Sequence, residues 1–270
     1  MEQVNHHPKL KEIKQTILKM VNKANVSHIG AALSIVDIIY TLYFKVANVS
    51  DKNIADKQRD VIVLSKGHSS ASLYAVLYHK GYLDQSCVEN YSIDNGSLPC
   101  HVDKEKSPLF EVSTGSLGHG ASVAVGMALA KKIDHLKGHV YVICGDGECN
   151  EGSVWEAIMF ASTHKTNNLT LIVDFNNFQA FGPTNQVINQ SNLAQRLESF
   201  GFDTIEIDGH DLEQIEKALR YRSDKPVAII AHTIKGKGVS FMEGKLEWHY
   251  KSPNEEQLAV ALAEIEEKYK

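Results

Sequence analysis

The sequence predicts an α/β protein: a parallel, twisted sheet with helices on both faces, in a single domain spanning residues 1–270. Short strand-like runs at 60–64, 140–144, 169–173, 204–207 and 227–231 alternate with helix-period segments, an order that gives parallel strands joined by right-handed crossovers. The run at 140–144 is apolar throughout and that at 169–173 apolar but for Thr170, as strands covered on both faces are. Several runs end in glycine, acidic or amide residues, and ligands bind at the carboxyl edge of such sheets.

The elements follow in order. Residues 8–25 place Leu10, Ile13, Ile17, Leu18 and Val21 at helical spacing, an amphipathic helix. Ser34 is expected to cap an apolar helix over 35–45. The strand at 60–64 runs into Ser65-Lys66-Gly67-His68 and a helix over 71–80. Residues 82–112 lack periodicity and read as a long loop with short helical pieces, a feature that is functional in most compact domains. A small-residue helix covers 121–132, and a helix over 153–162 takes Ser153 as its N-cap. Helices at 191–200 and 212–222, the latter capped by Asp211, separate the last strands, and a charged amphipathic helix over 254–270 finishes the chain.

Composition narrows the function. With 43% hydrophobic residues, 270 residues bury a substantial core. Lys plus Arg number 28 against 33 Asp plus Glu, a net charge of -5, which argues against nucleic acid or an anionic membrane surface as partner. The polar start, residues 1–7, lacks an apolar signal core, and no apolar run reads as long enough to cross a bilayer. A cytoplasmic protein is expected. Cys87, Cys100, Cys144 and Cys149 show no paired spacing for zinc or disulfides; Cys144 reads as core and Cys149 as an idle thiol.

The chemistry concentrates in 145–178. Gly145-Asp146-Gly147 follows one strand and precedes a helix; Asp174-Phe175-Asn176-Asn177 closes the next strand. The glycines let backbone approach a bulky anion. Asp146 and Asn176 are hard oxygen donors, and a helix plus a returning strand can bring them to one Mg²⁺, which takes few protein oxygens alongside phosphate and water.

This GDG…NN pattern resembles the thiamine-diphosphate motif, and GDGECNEGSVWEA resembles its transketolase version. The resemblance implies thiamine diphosphate held through Mg²⁺ by Asp146, Asn176 and the carbonyl of Phe178, with Gly145, Gly147 and Glu151 beside the cofactor. Further segments are similar to transketolases. His28 and Gly30 fit SxHxG, whose histidine lines the substrate channel; Ser65-Lys66-Gly67-His68 fits LSxGH, whose histidine meets cofactor and substrate. His101 fits Gly-His-Pro, although Cys100 and Val102 replace both neighbours. Thr114-Gly115-Ser116-Leu117-Gly118-His119-Gly120 fits TGSLGQG with His119 in place of Gln, which implies that backbone of Gly115, Ser116 and Leu117 contacts the aminopyrimidine. Thr233-Ile234-Lys235-Gly236-Lys237-Gly238 and Trp248-His249 fit segments that place Lys235 near the diphosphate and His249 in the channel. Lys237 reads as solvated and His210 as structural.

The resemblance covers about 10–265. Nothing here resembles the transketolase segment that supplies the glutamate for the aminopyrimidine, or the arginines for the sugar phosphate. It therefore implies the N-terminal subunit of a split transketolase, moving a two-carbon ketol unit from a ketose (phosphate) to an aldose (phosphate). The partner would be a C-terminal subunit carrying the pyrimidine-binding and C-terminal domains, in a heterotetramer. His28, His68, His101 and His249 would then stabilise hydroxyls and move protons. Two alternatives stand beside it: an α-subunit of a 2-oxo-acid dehydrogenase, and a cofactor-binding subunit without turnover.

Overall fold

A computed structural model describes residues 7–269; residues 1–6 of the polar start and Lys270 of the last expected helix lie outside the described residues. The elements are α1 (Pro8–Ala24), α2 (Ile29–Thr41), β1 (Val61–Leu64), α3 (Ser70–His79), α4 (Gln85–Glu89), α5 (His119–Ile133), β2 (Val140–Gly145), α6 (Gly152–Thr163), β3 (Leu169–Phe175), α7 (Thr184–Val187), α8 (Leu193–Ser199), β4 (Asp203–Asp208), α9 (Leu212–Arg220), β5 (Val227–His232) and α10 (Glu255–Lys268). The five strands form one sheet in the order β1-β2-β3-β5-β4, every pair parallel. All carboxyl ends therefore share one edge.

Alternation within each strand divides two cores. Tyr141 and Ile143 of β2 join the core beneath α1, α2, α3 and α9, while Val140, Val142 and Cys144 join the core beneath α5, α6 and α8. Both faces of β2 and β3 are buried along their whole length, which is why their sequences are mostly apolar, with Thr170 and Asp174 as the buried polar residues of β3. The edge strand β4 is only partly covered.

Three sequence expectations are corrected. Ser34 does not cap a helix: α2 begins at Ile29, because Ile29-Gly30-Ala31-Ala32 is apolar and small enough to pack as helix, and Ser34 lies buried inside it. Helix α6 starts at Gly152 with Glu151 at the N-cap, so Ser153 is already helical. The stretch Ile29–Val46, α2 with a π-helical turn (Leu42–Val46), is long and apolar enough to cross a membrane, against the sequence reading. Its window is 83% buried against the rest of the protein, the condition of a core helix. The 82–112 loop contains α4 and a short 3₁₀ turn, and Asn254 caps α10 through a reciprocal pair with Gln257.

A buried ion pair joins the first two helices. Lys14 Nζ lies 2.9 Å from Asp37 Oδ1, both side chains being nearly inaccessible. Burial works against the Lys14 charge, but Asp37 overrides it and raises the lysine's pKa. Removing one partner strands the other charge. Asp37→Ala is expected to cost about 3–5 kcal/mol, and the double change Lys14→Met, Asp37→Leu to recover most of it. Urea midpoints of the two variants check this.

Candidate active site

The carboxyl edge of the sheet opens into a cavity of about 500 Å³. The turn after β2 supplies Gly145, Asp146 and Gly147; the turn after β3 supplies Asn176, Phe178 and Gln179; the segment after β5 supplies Lys235. His28 enters at the head of α2, His68 from the turn after β1, and His101, Gly115 and Leu117 from the connection leading to α5. Glu151 and His249 complete the predicted lining. The Ser116 side chain is exposed and does not line the cavity; the sequence expectation there concerned its backbone.

The four histidines form one cluster. The His28 ring centroid lies 5.1 Å from that of His68, 5.8 Å from His101 and 4.9 Å from His249, and His68 and His249 are 5.8 Å apart. His28 sits at φ 77°, a costly backbone for a residue with a Cβ, and its N–H donates to the carbonyl of His249 at 3.0 Å. Such strain persists only where surroundings impose it. Gly115 is at φ 148°, and a Cβ there would lie 2.9 Å from the His101 ring, so only glycine lets that histidine pack on the loop.

Burial depresses the basicity of this group. His28 is brought down to about 4 by burial and then by His101, Lys235 and Lys66; His249 falls to about 3 from burial and Lys235; His68 falls well below its ordinary value. His101 is lowered by burial alone. All four are neutral near pH 7, each with one donor and one acceptor nitrogen. Lysine only donates, so the 3.0 Å contact of Lys235 Nζ with His249 Nδ1 makes Nδ1 the acceptor and leaves the proton on Nε2.

Sequence reasoning missed the buried carboxylates that hold this edge together. Asp174 accepts from Ser34 Oγ (2.7 Å), from Lys66 Nζ, from Thr233 Oγ1 and from Asn176 Nδ2 (3.1 Å). Its signal was visible: a charged residue at the end of an otherwise apolar strand. Glu148 accepts from Ser65 Oγ at 2.5 Å and from the N–H groups of Gly118 (2.8 Å) and Gly145 (3.1 Å), joining three loops. Thr184 was also missed; it donates to Asp146 Oδ2 at 2.7 Å.

These contacts bear on what the cavity can hold. Asn176 Oδ1 accepts the Phe178 N–H at 3.1 Å, with its Nδ2 committed to Asp174, so the amide oxygen is fixed in orientation and keeps a second lone pair. Asp146 has no cation in bonding contact; burial, with Asp174 nearby, pushes its carboxyl up to about 6 against the hydrogen bonds of Thr184 and Gly147. Lys235, buried and bonded to a neutral histidine, is brought down to about 8 by burial and Lys66. Gln179 Nε2 is buried without a partner. Among the described residues no group of three His, Cys, Asp or Glu could hold a metal, so a cation beside Asp146 and Asn176 would need oxygens from a ligand. A buried carboxylate, an oriented amide oxygen and an unpaired ammonium suit a divalent cation carried by an anionic ligand.

A parallel α/β sheet with a cavity of this kind at its carboxyl edge is the build of a cofactor-dependent enzyme domain. The family described as the thiamine diphosphate binding domain of transketolase matches residues 6–265. An apulose-4-phosphate transketolase subunit from Actinobacillus succinogenes is 38% identical over 262 residues, covering 96% of this chain and 95% of the relative. The 6-deoxy-6-sulfo-D-fructose transketolase subunit of a Clostridium species is 38% identical over 268 residues, 98% of each. The transketolase structure from Campylobacter jejuni superposes with a TM-score of 0.90 at 34% identity; the match covers 96% of this chain but 43% of that one. The chain belongs to the transketolase family, as its thiamine-diphosphate-binding domain. The 2-oxo-acid dehydrogenase alternative gives way to this assignment.

The raised pKa of Asp146 has a measurable sign. Its folded value, about 6, exceeds its ordinary value of 3.8, so the native state keeps a proton that the unfolded chain has lost between those pH values. Stability present below pH 4 is therefore lost as pH rises through 6. Asp146→Asn is expected to stabilise the isolated chain at pH 7 by roughly 1–3 kcal/mol, with the gain disappearing near pH 4. Urea unfolding of both proteins at the two pH values checks it; a less stable variant at pH 7 would contradict the charge burden.

Proposed function

We propose that this chain is the diphosphate-binding subunit of a split transketolase, which transfers a two-carbon ketol unit from a ketose or its phosphate to an aldose or its phosphate. Its partner carries the pyrimidine-binding and C-terminal domains, and the two chains work as a heterotetramer. The observation that carries this reading is the placement of four neutral histidines in one cavity with Asp146, Asn176 and Lys235. The partner is supported by the two relatives named as transketolase subunits, which match this chain over 95% and 98% of their own length. Four free cysteines are compatible with a cytoplasmic location.

Thiamine diphosphate, when bound, supplies the electron sink for cleaving a bond next to a carbonyl. Asp146, Asn176 and the Phe178 carbonyl would hold Mg²⁺, and Lys235 would meet the diphosphate. Gly145 and Gly147 would leave room for it, Glu151 would lie beside it, and the backbone of Gly115, Ser116 and Leu117 would contact its aminopyrimidine. The histidines do the proton work on sugar hydroxyls. Neutral imidazole both donates and accepts, so His28, His68 and His101 can each take a proton at one nitrogen while holding an oxygen with the other. His249, with its proton on Nε2, is a hydrogen-bond donor while Lys235 occupies Nδ1.

Asp146→Ala should weaken Mg²⁺-dependent binding of thiamine diphosphate to the assembled complex at least tenfold by calorimetry. His28→Ala, His68→Ala and His249→Ala should lower turnover while keeping fold and most cofactor affinity. Wild-type rates in all three would sink the channel assignment. The chain alone should transfer no ketol unit, and mixing it with the C-terminal subunit should restore binding and turnover together. Ketol transfer by the purified chain alone refutes the split-site reading; a complex that binds cofactor but never turns over favours the non-catalytic alternative.

A further inference from the structure

The segment after β5 delivers Lys235 to the cavity, and its amides are pinned one after another. Thr233 N–H donates to the Phe175 carbonyl at 3.2 Å, Gly236 N–H to the Gly30 carbonyl at 2.9 Å, and Gly244 N–H closes on the Lys235 carbonyl at 2.9 Å. Ile234 departs from this pattern. Its N–H donates to a side chain, Nε2 of His210, at 2.9 Å.

His210 comes from another loop, the turn between β4 and α9, and uses both ring nitrogens. A backbone N–H cannot accept, so Nε2 is the acceptor and the proton sits on Nδ1. That nitrogen lies 2.6 Å from Asp37 Oδ2. Asp37 is fixed in turn by Lys14, whose ammonium is 2.9 Å away and fully buried. A line of bonds thus runs from α1 through α2 and the β4–α9 turn to the residue before Lys235.

The Lys235 ammonium itself has little else to hold it. No carboxylate bonds its ammonium, which rests 3.0 Å from His249 Nδ1. Its stem threads a narrow gap: a Cβ on Gly30 would lie 3.0 Å from Lys235 Cγ. In such a gap, a shift of the Ile234 backbone moves the ammonium relative to whatever anion it serves. A lysine acts as a point charge, so its worth to a ligand depends on that position.

We propose that His210 is a positioning residue: seated on the Lys14–Asp37 pair, it holds the Ile234 amide and thereby sets Lys235 in the cavity. The consequence for ligand binding rests on the reading of Lys235 as a diphosphate contact; the consequence for geometry does not.

Two substitutions separate the ring's two bonds. His210→Gln reaches the Nε2 position with an amide oxygen that accepts from Ile234; His210→Asn reaches only the Nδ1 position. In the unliganded chain, the ring-nitrogen resonances of His249, assigned by their loss in His249→Gln, report the Lys235 contact. They should shift in His210→Asn, with faster hydrogen exchange at the Ile234 amide, and stay near wild type in His210→Gln. Unmoved His249 resonances in a folded His210→Asn chain overturn the inference, as does an equal disturbance in both variants. Calorimetry with Mg²⁺ and inorganic pyrophosphate then tests the consequence: affinity about tenfold weaker in His210→Asn and in Lys235→Gln, and within about threefold of wild type in His210→Gln. Lys235→Gln binding like wild type, or a wild-type chain that takes up no pyrophosphate, sinks the diphosphate reading and leaves the resonances to judge His210. Weakened Lys235→Gln beside unchanged His210→Asn overturns the positioning role.

Discussion

The carboxylate of Asp174 is the constraint on which the cavity depends. It is fully buried, and a buried charge is tolerable only when paired and hydrogen-bonded. Burial works to raise its pKa, but Lys66, Thr233 and Ser34 together hold it below its ordinary value. Each partner comes from a different element: Ser34 from the middle of α2, Lys66 from the end of β1, Thr233 from the end of β5 and Asn176 from the turn just beyond β3. Satisfying one charge fixes the relative positions of four chain segments at the sheet edge. It also explains why a serine interrupts the apolar run of α2, where the sequence alone pointed to a helix cap.

That arrangement divides the charges of the cavity. Lys66 is spent on Asp174, so it contributes structure before it contributes binding. Lys235 and Asp146 have no counter-ion in bonding contact, and both are held away from their ordinary ionisation by burial. One is an unpaired ammonium and the other an unpaired carboxylate, on opposite sides of the Asn176 turn in sequence but lining one cavity. A ligand that brings both an anion and a divalent cation relieves both at once. Charges buried without a partner cost stability, and such a ligand would remove that cost.

Much of this was legible in the sequence. All five strands, their parallel order of appearance and the carboxyl-edge location followed from apolar runs alternating with helical periodicity. The lining residues after β1, β2, β3 and β5 followed from their positions just past strand ends, whereas His28, His101, Gly115, Leu117 and His249 followed from the resemblance to transketolase segments. The sheet order was not legible: that β5 lies between β3 and β4 depends on which helix covers which face, a tertiary outcome. Nor were the boundaries of α2 and α6, where small residues carry a helix past the apparent capping serine. Asp174 was signalled only as a charge at the end of an apolar strand; its partners, and the roles of Glu148 and Thr184, were hidden because they bond residues distant in sequence.

The histidine cluster shows how the same edge selects its chemistry. With the His28 ring centroid 4.9–5.8 Å from the other three, the four imidazoles cannot all carry protons in a space this buried, and two nearby lysines raise the cost further. The site therefore excludes imidazolium and keeps rings that donate on one side and accept on the other. A charged histidine could only donate; a neutral one can hold a hydroxyl and take its proton in the same geometry. The lysines serve two ends at once. They favour an anionic ligand near the strand ends and, by lowering the basicity of the histidines beside them, preserve those rings as acceptors near neutral pH. The left-handed backbone at His28 is kept because its amide is tied to the His249 carbonyl, so two members of the cluster fix each other's approach.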